Sequence, residues 1–350
     1  MLGCFKYPVR RLKVGTGSSN FFCQTNYFGQ GVGQKVSYQS IGLVDFATEY
    51  AGKLSYGETA TLIAKTCGGS TLSDQHIHHL VQSKAVQISA IQEAEIMAFE
   101  SSGVSLTSHA VDIYEPDSVE VIYLTDDICV KQQKCKRNKL PKTSTEGKFY
   151  NTRISLFQDN NKVYKTLVAG INIDNVQLTK ATICAAYASK IGIDKVISLP
   201  VVAILDGATT LKNELNAIFG DNTTCILDWY HLEKKVYQTM SMIVNKETKK
   251  VDAQNMLNLL WKGKSVETIA YLQKITPKNE EAKQMLITYL TKNETTIINY
   301  ENRKQAGKII GSGRTEKQND IVVAKRQKNK GMAWSPKGST AIALNNASYL

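Results

Sequence analysis

The sequence predicts an α/β fold: a mixed five-stranded sheet with helices on both faces, interrupted by an all-α insertion and preceded by a helical region. Three observations carry this. Short runs rich in apolar and β-branched residues occur at 119–132, 152–158, 162–171, 201–205 and 225–227, lengths that suit strands and not helices. The first three runs follow one another directly, while helix-period segments separate the later ones. From Trp229 to about Ile309 no strand signal interrupts the helical pattern.

Size and charge bound the function. At 350 residues and 42% apolar composition the chain can bury a large core in two or three domains. No run of 18 apolar residues exists, so no membrane span is expected. The basic start MLGCFKYPVRRLKVGTGSS lacks the apolar core of a signal peptide. Seven cysteines form no CxxC pair, which fits a reduced, cytoplasmic setting without a zinc finger or disulfide framework. The net charge of +12 gives little to an enzyme of neutral small molecules, whereas a polyanion binder gains steering and counterion release. Residues 131–148 hold seven lysines and arginines against Glu146 alone, and residues 303–337 hold ten against Glu316 and Asp320. Two such runs flanking candidate carboxylates favour nucleic acid over plain solvated faces.

Residues 1–42 lack periodicity and read as an irregular segment. Residues 43–115 read as helical, with Ala60, Ile63 and Ala64 on one face and Ile77, Leu80 and Val81 on another. Cys67-Gly68-Gly69-Ser70 signals a turn between them, and Ser73 with Asp74 an N-cap. The outline suits a helix-turn-helix that presents Gln75 and His79 to DNA, and equally an ordinary helical hairpin. After Pro116 the block 116–231 reads strand, basic loop, strand, the tip Asp159-Asn160-Asn161, strand, helix 176–192, the strand to Asp206, helix 209–219, and the strand to Asp228. That β-β-β-α-β-α-β order is the ribonuclease H-like arrangement. Residues 232–310 form the all-α insertion. Residues 311–350 return to the core through Gly311-Ser312-Gly313, read as a flexible lead, and a helix from Arg314 to Lys328 on which Glu316, Asn319, Val323 and Gln327 share a side.

Cleaving a phosphodiester requires a nucleophile at neutral pH and stabilisation of a charged transition state. Two divalent cations about 3.5–4 Å apart do both, and such hard ions demand carboxylate oxygens. In this topology the first and fourth strands are neighbours, which sets Asp126 beside Asp206. Glu316 is the best-placed third acid, on a later helix among lysines and arginines that suit a DNA backbone. Singly, each has a plainer account: a strand-end aspartate caps a turn, and Glu316 pairs with Arg314 or Lys317. Their order within one fold favours the catalytic account.

The segments LTDDICVK, AILDGATTL, ILDWYHLEK and GSGRTEKQND with RQKNKGMAWS resemble the DDE-type transposases of bacterial insertion sequences, in particular the ISKra family, and more distantly the Mutator-like and hAT-like groups. The resemblance covers about residues 115–345. It implies metal binding and catalysis by Asp126, Asp206 and Glu316, with two Mg2+ or Mn2+ ions. Asp228 and His231, matching a C/D-x-x-H motif, take a supporting role with Asp127. The intervals between the three acids suit a core interrupted by an insertion. Asp127 stands where the family usually has glycine, which leaves the first ligand open between Asp126 and Asp127. The implied activity is strand cleavage at element ends with transfer of the 3′-hydroxyl into target DNA. Lys131, Lys134, Lys136, Arg137, Arg314, Lys317, Lys325, Arg326 and Lys328 are expected to touch double-stranded DNA in a homodimeric, nucleoid-associated complex. The short N-terminal part also fits a truncated, DNA-binding remnant, and a ribonuclease H-like structure-specific nuclease is a third reading.

Overall fold

The computed structural model describes residues 41–66, 72–133 and 149–350. Helices α1 (Ile41–Ala51), α2 (Tyr56–Thr66) and α3 (Asp74–Ser102) come first, then β1 (Ser105–Ser108), β2 (Val121–Lys131), β3 (Phe149–Gln158) and β4 (Tyr164–Leu167). Next come α4 (Asn175–Ala186), β5 (Val196–Leu199), β6 (Val201–Leu205), α5 (Thr209–Phe219) and β7 (Thr224–Leu227). The main sheet has five strands in the order β4-β3-β2-β6-β7. Antiparallel pairing joins β2 to β3 and β3 to β4, and parallel pairing joins β2 to β6 and β6 to β7. This is the mixed, ribonuclease H-like sheet that the sequence predicts.

The strands read as continuous apolar runs because helices cover both faces. Val121, Tyr123, Phe157, Ala203 and Leu205 pack on one face against Ile183 of α4 and Leu211, Leu215 and Phe219 of α5. Ile122, Leu124, Ile154, Leu156, Val202 and Ile204 face the opposite core, which runs on into the terminal and inserted helices. Strand alternation therefore sends Asp126 and Asp127 to opposite faces.

Beyond β7 the elements are helical: α6 (Trp229–Ile243), α7 (Lys246–Trp261), α8 (Ser265–Lys274), α9 (Glu280–Lys292) and α10 (Tyr300–Gln305). Trp229 lies 4.8 Å from Trp261 and 5.0 Å from Tyr300 between ring centres, and the Tyr300 hydroxyl donates to Leu227 O at 2.8 Å. The first and last helices of the excursion are thereby pinned to the end of β7. The chain then forms α11 (Gly313–Asn319), a π turn (Asp320–Ala324), α12 (Lys325–Gln327) and α13 (Pro336–Ala347). Helix α11 lies across β2 and β3.

Two elements differ from expectation. Residues 85–117 are expected to stay helical and then loosen into a linker, but the 29-residue α3 continues to Ser102 and ends at Gly103, φ 65°, and β1 follows, pairing in parallel with β5. The four residues Ser-Leu-Thr-Ser are too short and polar to signal a strand. The second helix of the helix-turn-helix outline is therefore far longer than two short helices would require, although Ser73 caps it as expected by accepting from His76 N. The turn at Cys67-Gly68-Gly69-Ser70 and the segment 1–40 lie outside the described residues. The terminal regions also pack as one body: Asn345 Nδ2 donates to Val81 O at 3.0 Å, and Arg326 Nε to Ala51 O at 3.0 Å.

Candidate active site

The parallel ladder pairs Val121 with Val201 and runs in register to Leu124 with Ile204. Asp126 and Asp206 each follow the last pair by two residues, at the same offset and on the same face. The sheet register itself thus makes them neighbours. Asp206 immediately follows β6, and its Oδ1 accepts from Ala208 N at 2.8 Å across a turn in which Gly207 adopts φ +89°, a backbone state that favours glycine. Burial pushes the Asp126 carboxyl above its ordinary value, and the charge of Asp206 adds to this. The Asp127 N–H, His231 and Asn319 act in the opposite direction.

Asp127 is otherwise engaged. It sits opposite Arg153 in the β2–β3 ladder and takes both arms of that guanidinium, Nε at 2.6 Å and Nη2 at 2.9 Å. Arg153 Nη1 donates to Glu214 of α5. Both Asp127 oxygens are thus held by a cation on the α4–α5 face, away from Asp206.

Asp228 is 1% exposed as a side chain and caps α6. Its Oδ1 accepts from Tyr230 N at 2.7 Å and His231 N at 3.3 Å. Its Oδ2 accepts from Ser312 N at 2.7 Å and from the Ser312 hydroxyl, and stands 3.2 Å from His231 Nδ1. Burial by itself would raise this carboxyl, but the nearby His231 ring and the hydrogen bonds from Ser312 outweigh it and hold Asp228 below the ordinary aspartate value. The Asp228 carboxylate, 3.2 Å away, in turn holds His231 above the ordinary imidazole value against burial, with Asp126 and Asp206 adding negative charge. Gly311-Ser312-Gly313, expected as a flexible lead, is therefore anchored: Ser312 is 6% exposed, and a β-carbon on Gly311 would stand 2.4 Å from the Tyr230 ring. A serine between glycines carries no local sign of a buried carboxylate 84 residues away.

From α11, Asn319 reaches Asp126: its Nδ2 donates to Asp126 Oδ2 at 2.7 Å. Glu316, one turn earlier, is exposed. Among the described residues no three His, Cys, Asp or Glu side chains stand together as a metal-ligating group. The donors present do suit a hard divalent cation: two neighbouring carboxylates, Asp126 and Asp206, and the buried Asn319 Oδ1, which has no hydrogen-bond partner. Tyr289 of α9, whose hydroxyl is pushed up to about 12 by burial and then by Asp206 and Asp228, brings the inserted helices against this site.

The expected DNA contacts divide. Lys134, Lys136 and Arg137 lie outside the described residues. Lys131, Arg314, Lys317, Lys325 and Lys328 are exposed, as are Gln75 and His79 on α3. Arg314 stacks 4.6 Å above the Tyr164 ring, and Lys325 stands 3.3 Å from Asp320. Arg326 is corrected: it is 4% exposed, bonded to Ala51 O and stacked 4.8 Å from the Trp334 ring. Its basic neighbours in sequence suggested a DNA contact, but its guanidinium joins the tail to α1.

Fold and site together define an α/β protein with a ribonuclease H-like sheet and a pair of carboxylates at its centre. Its structure is similar to a chain of the Drosophila P element transposase strand transfer complex, with a TM-score of 0.31 and 11% identity, covering 93% of this chain and 81% of that one. No family model matches the sequence, and no curated protein matches it. Among the described residues no helix is long and apolar enough to cross a membrane.

Proposed function

We propose that the protein is a DNA transposase of the DDE type, cutting at element ends and joining the 3′-hydroxyl to target DNA. The observation that carries this is the pairing of Asp126 with Asp206 by sheet register, on the face where α11 crosses β2 and β3. In this reading Asp126, Asp206 and Glu316 hold two Mg2+ or Mn2+ ions, the finer ISKra-family resemblance supplying Glu316. Bound there, the cations supply a nucleophile at neutral pH and offset charge on the phosphate.

The chain's own groups do the rest. Asp126, raised by burial and by its neighbour, gains from a cation that neutralises it. Asp228 holds the start of α6 against the lead into α11, so the helix that carries Glu316 and Asn319 keeps its place over the sheet. Arg314 and Lys317 flank Glu316 and, with Lys131, Lys325 and Lys328, offer the exposed positive charge that a duplex backbone requires. Two copies are needed to hold two ends, which makes a homodimer on DNA the working form.

The test is metal-dependent cleavage. Purified protein is incubated with labelled duplex from the DNA that flanks the coding frame, with and without Mg2+. Cleavage by wild type that is lost in Asp206→Ala supports the proposal, and identical products from both sink it. Salt-dependent binding without metal-dependent cleavage selects a DNA-binding remnant, a reading favoured by the exposure of Glu316.

A further inference from the structure

We propose that Asn319 completes the cation site, its Nδ2 positioning Asp126 and its Oδ1 serving as a ligand oxygen. This rests on the reading above that the aspartate pair holds divalent cations. A carboxylate offers acceptors only, so the amide atom 2.7 Å from Asp126 Oδ2 is the nitrogen. That fixes the amide plane and leaves Oδ1 buried with no partner. A buried carbonyl oxygen without a partner is uncommon and calls for a group to meet it. A hard cation beside Asp126 meets it with the chemistry that amide oxygens share with carboxylates.

The contrast with Asp127 strengthens the assignment. Arg153 neutralises Asp127 through two hydrogen bonds, as any cationic side chain would do to a metal ligand. A neutral amide orients Asp126 and leaves its negative charge for the metal. The position is also built: α11 lies across β2 and β3, Thr315 and Asn319 are buried on it, and the π turn Asp320–Ala324 begins immediately after Asn319. Such turns occur frequently at functional sites.

The test reads Mn2+ binding to the full chain, without DNA, from the loss of the free-ion paramagnetic resonance signal. Wild type, Asp206→Ala, Asn319→Ala and Asn319→Asp are compared, with metal-free thermal melts as the folding control. Asn319→Ala is expected to weaken binding about 10- to 100-fold, the usual effect of losing a group that supports a metal site, without a matching change in the metal-free melt. Asn319→Asp, which keeps an oxygen and adds charge, is expected to bind at least as tightly as wild type. Binding lost in Asp206→Ala but unchanged in Asn319→Ala overturns the role of Asn319 alone. Binding unchanged in Asp206→Ala overturns the metal reading itself. If Asn319→Ala does not fold, Asn319→Asp decides: binding kept or tightened supports the ligand oxygen, and weakened binding overturns it.

Discussion

One carboxylate oxygen of Asp228 caps the helix that begins at Trp229, and the other takes the N–H and hydroxyl of Ser312, 84 residues further on. The inserted helices thus leave and rejoin the sheet at a single buried carboxylate. Trp229 N–H donating to Ile310 O at 3.1 Å reinforces the same closure. Whatever the insertion does, the start of α11 is held to the end of β7.

Asp228→Ala is therefore expected to lower stability on the order of 3 kcal/mol. The lost cap accounts for about 1 kcal/mol, and the buried, charge-assisted bonds to Ser312 for about 1.5–3 kcal/mol. Urea unfolding at neutral pH checks it. A loss below about 1 kcal/mol would mean that the two ends stay together without this carboxylate.

Asp228 and His231 together set a pH dependence. Asp228 is held below its ordinary value of 3.8, so its contribution is fully present above that value and is lost as pH falls through the lower folded value. His231 is held above 6.5, so its contribution is present below 6.5 and is lost as pH rises through the higher folded value. Melting temperatures of wild type and His231→Gln across this range provide the check. The difference between them should be largest on the acid side of 6.5 and shrink on the alkaline side.

The buried Arg303 is expected to matter more than any surface ion pair. It is 0% exposed, donates to Ile309 O and Ile113 O, and takes both oxygens of Glu120 at 2.9 and 2.8 Å. Arg303→Ala leaves Glu120 buried with Lys308 alone, and removing one partner of such a pair costs about 3–5 kcal/mol. Denaturant unfolding measures this, and a value near that of an exposed pair, under about 1 kcal/mol, would contradict it.

The sheet was legible because its strands are short apolar runs in a fixed order, and that order determines which strands lie side by side. Asp126 and Asp206 followed from it without any knowledge of side-chain contacts. What stayed hidden depends on contacts between distant positions. Ser312 looked like a linker serine, Arg326 like one more member of a basic run, and β1 is too short and polar to announce itself. Asn319 shared a helix side with Glu316 in the sequence, but spacing alone favours the carboxylate over the amide three residues later. The pairing of Asp127 with Arg153 stayed hidden too, since it appears only when β3 is paired against β2.

That pairing yields the sharpest functional expectation. Asp126→Asn removes the charge that faces Asp206, and Asp127→Asn removes one that Arg153 already neutralises on the other face. If the proposed chemistry holds, Asp126→Asn and Asp206→Asn should each lower Mg2+-dependent cleavage at least about 100-fold, since each removes a carboxylate that holds the cations. Asp127→Asn should keep most of the cleavage rate and lose about 1 kcal/mol or less of stability, the range of a partly exposed ion pair. Single-turnover cleavage of one labelled duplex by the three variants separates these outcomes. Equal losses in Asp126→Asn and Asp127→Asn would mean that the strand face does not select the ligand.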